Sequence, residues 1–211
     1  RRAVPRHYVQ VAQLDILLLR AAPLKHALLS FAMQAKDLGV PVLNDPDGLM
    51  RVSHKSWLAG LTDVPTPATV VTKSYGIAKS FYEEQKTGII LKPALGSGGA
   101  SVFHVKPRNQ NYFEECFSHV HRFKNGHVVV QKYLEAAKDG ETRVVWFKGE
   151  PIGAYRRQAA AGEFRHNLKC GATPIATTLS AKDIQLVGTL RPHLNKNGVL
   201  LAGIDVIGNK I

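Results

Sequence analysis

At 211 residues with 45% hydrophobic content, the chain is long and apolar enough to bury a core and form one compact unit of two lobes. Lys and Arg number 28 against 16 for Asp and Glu, a net charge of +12 dispersed along the sequence, which suits anionic small ligands as well as nucleic acid. Nucleic-acid binding is set aside because no helix-turn-helix, zinc-finger or RNA-binding motif with aromatic platforms accompanies the charge, and no apolar run approaches the roughly 20 residues of a bilayer span.

In chain order, residues 15–20 read as a short buried strand, 24–38 as a helix ended by Gly39, and 40–43 as a returning strand, an order that predicts a piece of parallel α/β sheet. The turn-rich Asn44-Asp45-Pro46-Asp47-Gly48 closes it, 49–61 reads as one helix, and the prolines of 62–67 make a connector. A strand from Val70, a helix over 74–85, a strand at 89–93, a glycine-rich turn, a strand at 102–105 and a helix over 112–123 then predict a small α+β lobe. Beyond it come strands at 128–134, 142–147 and 151–157, the last two as a hairpin around Lys148-Gly149-Glu150, then one amphipathic helix over 181–196 and a buried strand at 199–207.

Four features carry chemistry. Lys92 ends a buried strand just before Gly96-Ser97-Gly98-Gly99-Ala100-Ser101, and glycines let backbone N–H groups approach phosphate oxygens while a lysine supplies charge. A mobile triphosphate cradle fits, and so does an ordinary hairpin loop with a solvated lysine. It is not a P-loop, because the lysine precedes the glycines. The strand leaving through Gln131-Lys132-Tyr133-Leu134 can act as a hinge whose backbone pairs with an adenine edge. Arg156-Arg157 and Gly162-Glu163-Phe164-Arg165-His166-Asn167 gather donors for phosphoryl or carboxylate oxygens, with a solvated basic loop as the alternative. Asp205 is a carboxylate inside an apolar strand, where it needs a cation such as Mg²⁺ or a structural salt bridge. His119, His121 and His127 read as surface histidines, since i and i+2 on a helix share no face. Trp57 and Trp146 read as packing residues. Cys116 and Cys170 lack metal-ligand spacing and a His/Asp partner pattern, so they read as inert thiols of a reduced, cytoplasmic protein.

The order of these features resembles the ATP-grasp family. Asn44-Asp45-Pro46-Asp47-Gly48-Leu49 with Lys55, Lys92 with its loop, Gln131-Lys132-Tyr133-Leu134, Glu141-Thr142-Arg143, Gly149-Glu150-Pro151, the Glu163-Phe164-Arg165-His166-Asn167-Leu168 stretch and Gly203-Ile204-Asp205 follow one another in that order. Within the family the similarity is to prokaryotic-type glutathione synthetase and the ribosomal-protein glutamate ligases, to which the Glu-Phe-Arg-x-Asn-Leu stretch is fairly specific. The resemblance implies two α+β lobes clamping ATP. Residues 1–50 would be the remnant of a preceding parallel α/β domain, 51–132 the first lobe with its glycine-rich lid, and 133–211 the second lobe.

The same resemblance implies the roles. Lys55 and Lys92 contact phosphates, and the loop carrying Gly96, Ser97, Gly98 and Gly99 closes over them. Gln131, Lys132, Tyr133 and Leu134 form the adenine hinge, with Glu141 on the ribose. Arg143, Arg165 and Asn167 face the transferring phosphoryl group and acyl phosphate, and Asp205 binds Mg²⁺ or its substitute Mn²⁺. The implied reaction is ATP-dependent joining of a small-molecule or peptide carboxylate to an amine, with no nucleic acid or membrane partner and a homo-oligomer left open. The alternatives are a non-catalytic ATP-binding module and a D-alanine–D-alanine ligase-like enzyme. In two respects the sequence departs from the family: Ala100 replaces a loop glycine, and a Glu-x-Asn pair of further metal ligands is expected beyond Ile211.

Overall fold

A computed structural model describes residues 8–20, 24–123 and 126–211. Strands β1 (Leu17–Leu18) and β2 (Val42–Leu43) pair in parallel, joined by helix α1 (His26–Asp37), which buries Leu29, Ala32 and Ala35 along one face. This is the expected parallel α/β piece, reduced to a two-stranded sheet. The Asn44–Gly48 turn proves to open a helix, α2 (Pro46–Val52). Asp45 caps it by accepting from the N–H groups of Asp47 and Gly48, and Pro46 occupies the first turn, where a missing N–H is no loss. The single helix expected over 49–61 is therefore two. The chain breaks at Ser53-His54, and α3 (Lys55–Ala59) restarts with the His54 side chain accepting from Ser56 N–H.

Strands β3 (Thr69–Thr72), β4 (Ile89–Pro93), β5 (Phe103–Val105) and β6 (Val128–Lys132) form an antiparallel sheet in the order β3-β6-β4-β5. Helices α4 (Tyr75–Glu84) and α5 (Gln110–Arg122) cover one face of it. Strand alternation puts Ile89, Leu91, Val128, Val130 and Val105 on that covered face, where they pack with Tyr82, Phe113, Phe117 and Val120. The opposite face carries Thr69, Gln131, Ile90 and His104 in one cross-strand row, and Lys92 in the next.

The second sheet consists of β7 (Glu141–Phe147), β8 (Glu150–Gln158), β9 (Thr173–Ala176) and β10 (Leu201–Val206), antiparallel in the order β10-β7-β8-β9. Its packed face brings Val144, Trp146, Ile204 and Val206 against Val187, Leu190 and Leu194, and Val52, Trp57, Leu58 and Leu61 also join this second core. The single helix expected over 181–196 is again two, α6 (Ala181–Gly188), started by a Ser180/Asp183 capping box, and α7 (Arg191–Lys196), because Pro192 lacks the N–H that a continuous helix needs. Strand β9, fully exposed and containing Pro174, was not expected from the sequence, since it has no apolar alternation. At the outer edge of β10 the Asn44 amide donates to Leu201 O and accepts from Leu201 N–H, both at 2.7 Å, and Asp45 N–H donates to Gly198 O.

Candidate functional site

The uncovered faces of the two sheets meet across the hinge that follows β6. On the first sheet Lys92 Nζ donates to Gln131 Oε1 at 2.7 Å, and Gln131 Nε2 donates to Thr69 Oγ1 at 2.8 Å, which fixes the amide and draws the ammonium into the wall. Burial, then repulsion from Lys55, lowers the Lys92 pKa to about 8, while Glu141 and Asp205 across the cleft pull the other way. Lys55 is placed by its own backbone: at the start of α3 its N–H donates to Ala94 O, and its ammonium donates to Gly96 O at 3.0 Å. Two lysines thus stand together beside the glycine-rich turn.

That turn needs its glycines. Gly98 and Gly99 have φ of +74° and +79°, and a Cβ on Gly99 would lie 2.7 Å from Asn167 Oδ1 and 2.9 Å from Cys170 Sγ. Expected as a mobile loop, it is folded down onto the 163–170 segment. Arg165 Nη1 donates to Gly99 O at 3.1 Å, Cys170 Sγ lies 3.7 Å from Gly98 O, and Ser101 Oγ lies 3.2 Å from His119 Nε2. Gly96 and Ser97 remain exposed at its tip.

The hinge is anchored on both sides before it leaves the sheet. Lys132 N–H donates to Ala68 O, Tyr133 N–H to Gly88 O, and Thr87 Oγ1 to Tyr133 O, while Leu134 O accepts from Ala137 N–H in a short 3-10 turn. The Tyr133 ring stacks on His104 with centroids 4.0 Å apart.

Across the cleft, β7, β8 and β10 hold a charged cluster. Strand register aligns Asp205 with Arg143 and Glu141 with Arg157. Arg143 grips Asp205 with both Nε and Nη2, and Arg157 Nη2 reaches both Glu141 Oε1 and Asp205 Oδ1. Against the cost of burial, the hydrogen bonds and charge of Arg143, joined by Arg157, hold the Asp205 carboxyl below its usual range. Burial and the neighbouring Asp205 push Glu141 up, so the two carboxyls are driven apart. His166, buried and lowered in pKa chiefly by that burial, lies with Nδ1 3.8 Å from Glu141 Oε2. A Cβ on Gly203 would lie 2.5 Å from Arg143 Nη1, so a side chain there would displace the guanidinium. Arg165 is braced separately, its Nε and Nη2 donating to the Glu163 carboxylate at 3.0 and 2.6 Å, a pairing that drops the Glu163 pKa to about 2.

Lys55, Lys92, Gln131, Glu141, Arg143, Arg165, Asn167 and Asp205 are therefore brought to one cleft with the lid, and Lys132, Tyr133 and Leu134 stand at its hinge. Arg143 and Asp205 engage each other, so Asp205 makes the salt bridge that stood beside a metal as an explanation of its place in an apolar strand. Among the described residues no group of three or more His, Cys, Asp or Glu is placed to hold an ion. His119 and His121 bond Ser101 and Gly126 O, while His127 faces His54. Sequence reasoning missed Arg157 and His104. In the sequence Arg156 and Arg157 form one basic segment, and it is the register irregularity at Val145/Trp146 that sets Arg157 opposite Glu141 and so into the cleft. His104 carried no motif signal.

Residues 56–211 match the family model described as prokaryotic glutathione synthetase, ATP-grasp domain. The glutathione synthetase of Synechocystis sp. is 33% identical over 167 residues, covering 79% of this chain and 51% of that protein. That of Escherichia coli K12 is 32% identical over 209 residues, covering 95% and 64%. The chain thus spans roughly half to two-thirds of the length of these relatives. Among solved structures, D-cycloserine synthetase DcsG superposes with a TM-score of 0.71 at 17% identity, covering 93% of this chain and 72% of that one. A RimK domain ATP-grasp protein from Sphaerobacter thermophilus gives 0.69 at 20%, covering 92% and 68%. At those identities the likeness is one of fold, and the fold is the two-sheet ATP-grasp arrangement. No helix among the described residues is long and apolar enough to cross a membrane. With the greater part of its length inside the matching family model, the chain belongs to the ATP-grasp domain family of prokaryotic glutathione synthetase.

Proposed function

We propose that this domain binds ATP and transfers its γ-phosphoryl group within a ligase that joins a carboxylate to an amine through an acyl phosphate. The observation that carries the reading is the convergence of Lys55, Lys92 and the glycine turn on one side of a cleft with Arg143, Arg157 and Arg165 on the other. A substrate carboxylate oxygen would attack the γ-phosphorus, and the bond to the bridging oxygen would break as ADP leaves. The amine would then attack the acyl carbon, losing a proton as phosphate departs and the C–N bond forms. For such a transfer the protein's work is positioning and charge neutralisation. The two lysines would hold the phosphates, the hinge backbone the adenine and Glu141 the ribose. Arg165, kept in a fixed plane by Glu163, would meet the charge that develops on the transferring group with Asn167 beside it.

Arg143 and Arg157 already neutralise Asp205, so an Mg²⁺ held by Asp205 with phosphate oxygens would take over part of that pairing. The ion would supply further neutralisation of phosphate charge. The relatives' name supports a γ-glutamyl dipeptide and glycine as first substrates to try. The deciding experiment is ADP release by the full-length protein against γ-glutamyl dipeptides, glycine, glutamate and peptides ending in glutamate. ADP release that requires one acid and one amine together is the expected result. ATP binding without ADP release under any pairing would leave a nucleotide-binding module instead.

A further inference from the structure

The row of side chains that faces the cleft from the first sheet runs Thr69, Gln131, Ile90, His104. The polar groups of Gln131 are paired with Thr69 and Lys92, but His104 Nε2 is buried and has no hydrogen-bond partner. A buried nitrogen left unpaired is unfavourable, and native sites seldom keep one unless something else completes it. The imidazole is nonetheless held in a definite place, its ring stacked on Tyr133 at 4.0 Å with 19° between planes. Phe164, from the segment that carries Arg165, stands further off at 5.7 Å and 57°. Burial, then the charge of Lys106, lowers the His104 pKa, which keeps the ring neutral and its Nε2 able to donate or accept according to tautomer.

Position along the sheet indicates which part of a nucleotide would meet this nitrogen. Lys92 lies in the next cleft-facing row, and two residues of strand amount to about 7 Å. His104 is displaced from the lysine end toward the hinge, beside Tyr133. That is the nucleoside end of a ligand whose phosphates lie at Lys92. The loose contact with Phe164, which comes from the opposite lobe, is the one able to yield when a ligand enters, while the Tyr133 stack keeps the imidazole aimed.

We infer that His104 is a nucleoside-contacting residue, its unpaired Nε2 completed by a hydrogen bond from or to the base or ribose of the bound nucleotide. The inference rests on the nucleotide reading of the cleft. It makes an unusual pair of demands, since removing the nitrogen relieves the free protein and penalises only the complex.

The test uses His104→Phe, which keeps a ring to stack on Tyr133 and deletes the nitrogen, in the full-length protein. The thermal midpoint without nucleotide should be unchanged or raised. The dissociation constant for MgATP measured by calorimetry should rise about tenfold. Binding of inorganic tripolyphosphate, which has no nucleoside, should not change. His104→Leu lacks the same nitrogen and should reproduce the result where the Phe variant is not stably folded. Unchanged ATP affinity in a folded variant, or equal weakening of ATP and tripolyphosphate, overturns the inference. Lys92→Ala separates its failure from that of the nucleotide reading: that variant should weaken both ligands, and if it weakens neither, the nucleotide site and the His104 assignment fall together.

Discussion

Lys92 shows how one side chain can be tuned by the wall that holds it. Its folded-state pKa of about 8 lies below the ordinary value of 10.5, so between those limits the unfolded chain binds more protons than the folded one. The cost of burying the ammonium is therefore present below about pH 8 and disappears as pH rises toward the unfolded value, and the lysine's share of stability grows across that window. Phosphate binding runs the other way, because it needs the proton. MgATP affinity followed by calorimetry from pH 7 to 9.5 should fall above about pH 8, and Lys92→Arg, which keeps its charge, should flatten that fall. Lys92→Ala at neutral pH should weaken binding by about 1.5–3 kcal/mol, the range of a charge-assisted hydrogen bond. An unchanged affinity in a folded variant would remove Lys92 from the phosphate site.

Arg165 belongs to the same scale with a different emphasis. Its fork is occupied on one side by Glu163 and reaches the lid through Gly99 O, so its orientation is set before any ligand arrives. A lysine keeps the charge and loses the plane. Arg165→Lys should lower turnover on the order of 10²-fold with little change in the ATP constant. Equal losses in both would assign Arg165 to ground-state binding.

At the scale of elements, the lid is the part whose geometry is most exacting. Because Gly99 combines φ of +79° with near-contact to Asn167 and Cys170, Gly99→Ala should lower the melting transition modestly, by unseating the lid, while ADP release drops sharply. A variant that unfolds, or one with full turnover, would contradict that account of the seat. Here too lies the boundary of what the sequence could tell. Lys92 with its glycines, the Gln131–Leu134 exit and Asp205 in an apolar strand are local patterns, and each falls on the element expected for it. The break between α2 and α3 depends on a histidine serving as a cap, which no propensity favours. Strand β9 exists because β8 offers it an edge, and its exposed residues have no pattern of their own. Arg157 was hidden for a related reason: its partners Glu141 and Asp205 come from strands 16 and 48 residues away, and only their register places them within reach.

For the whole molecule, two cores on two sheets, joined through the hinge and the docked lid, divide the load of stability from that of chemistry. Trp146 is fully buried in the second core, so Trp146→Ala should reduce unfolding free energy by about 3–5 kcal/mol in denaturant titration, whereas half-buried Trp57 should cost less. A smaller loss at Trp146 than at Trp57 would mean that the core is organised elsewhere. The asparagine that answers Leu201 from beyond the last strand has a consequence of another kind. A sheet edge with open amide and carbonyl groups invites a second molecule to add a strand. One edge here carries Pro174, which cannot donate, and the other is met at Leu201 by Asn44 and at Gly198 by the Asp45 backbone. Taking away that amide with Asn44→Ala should therefore show itself as growth of scattering mass with concentration and time, ahead of any loss of nucleotide binding.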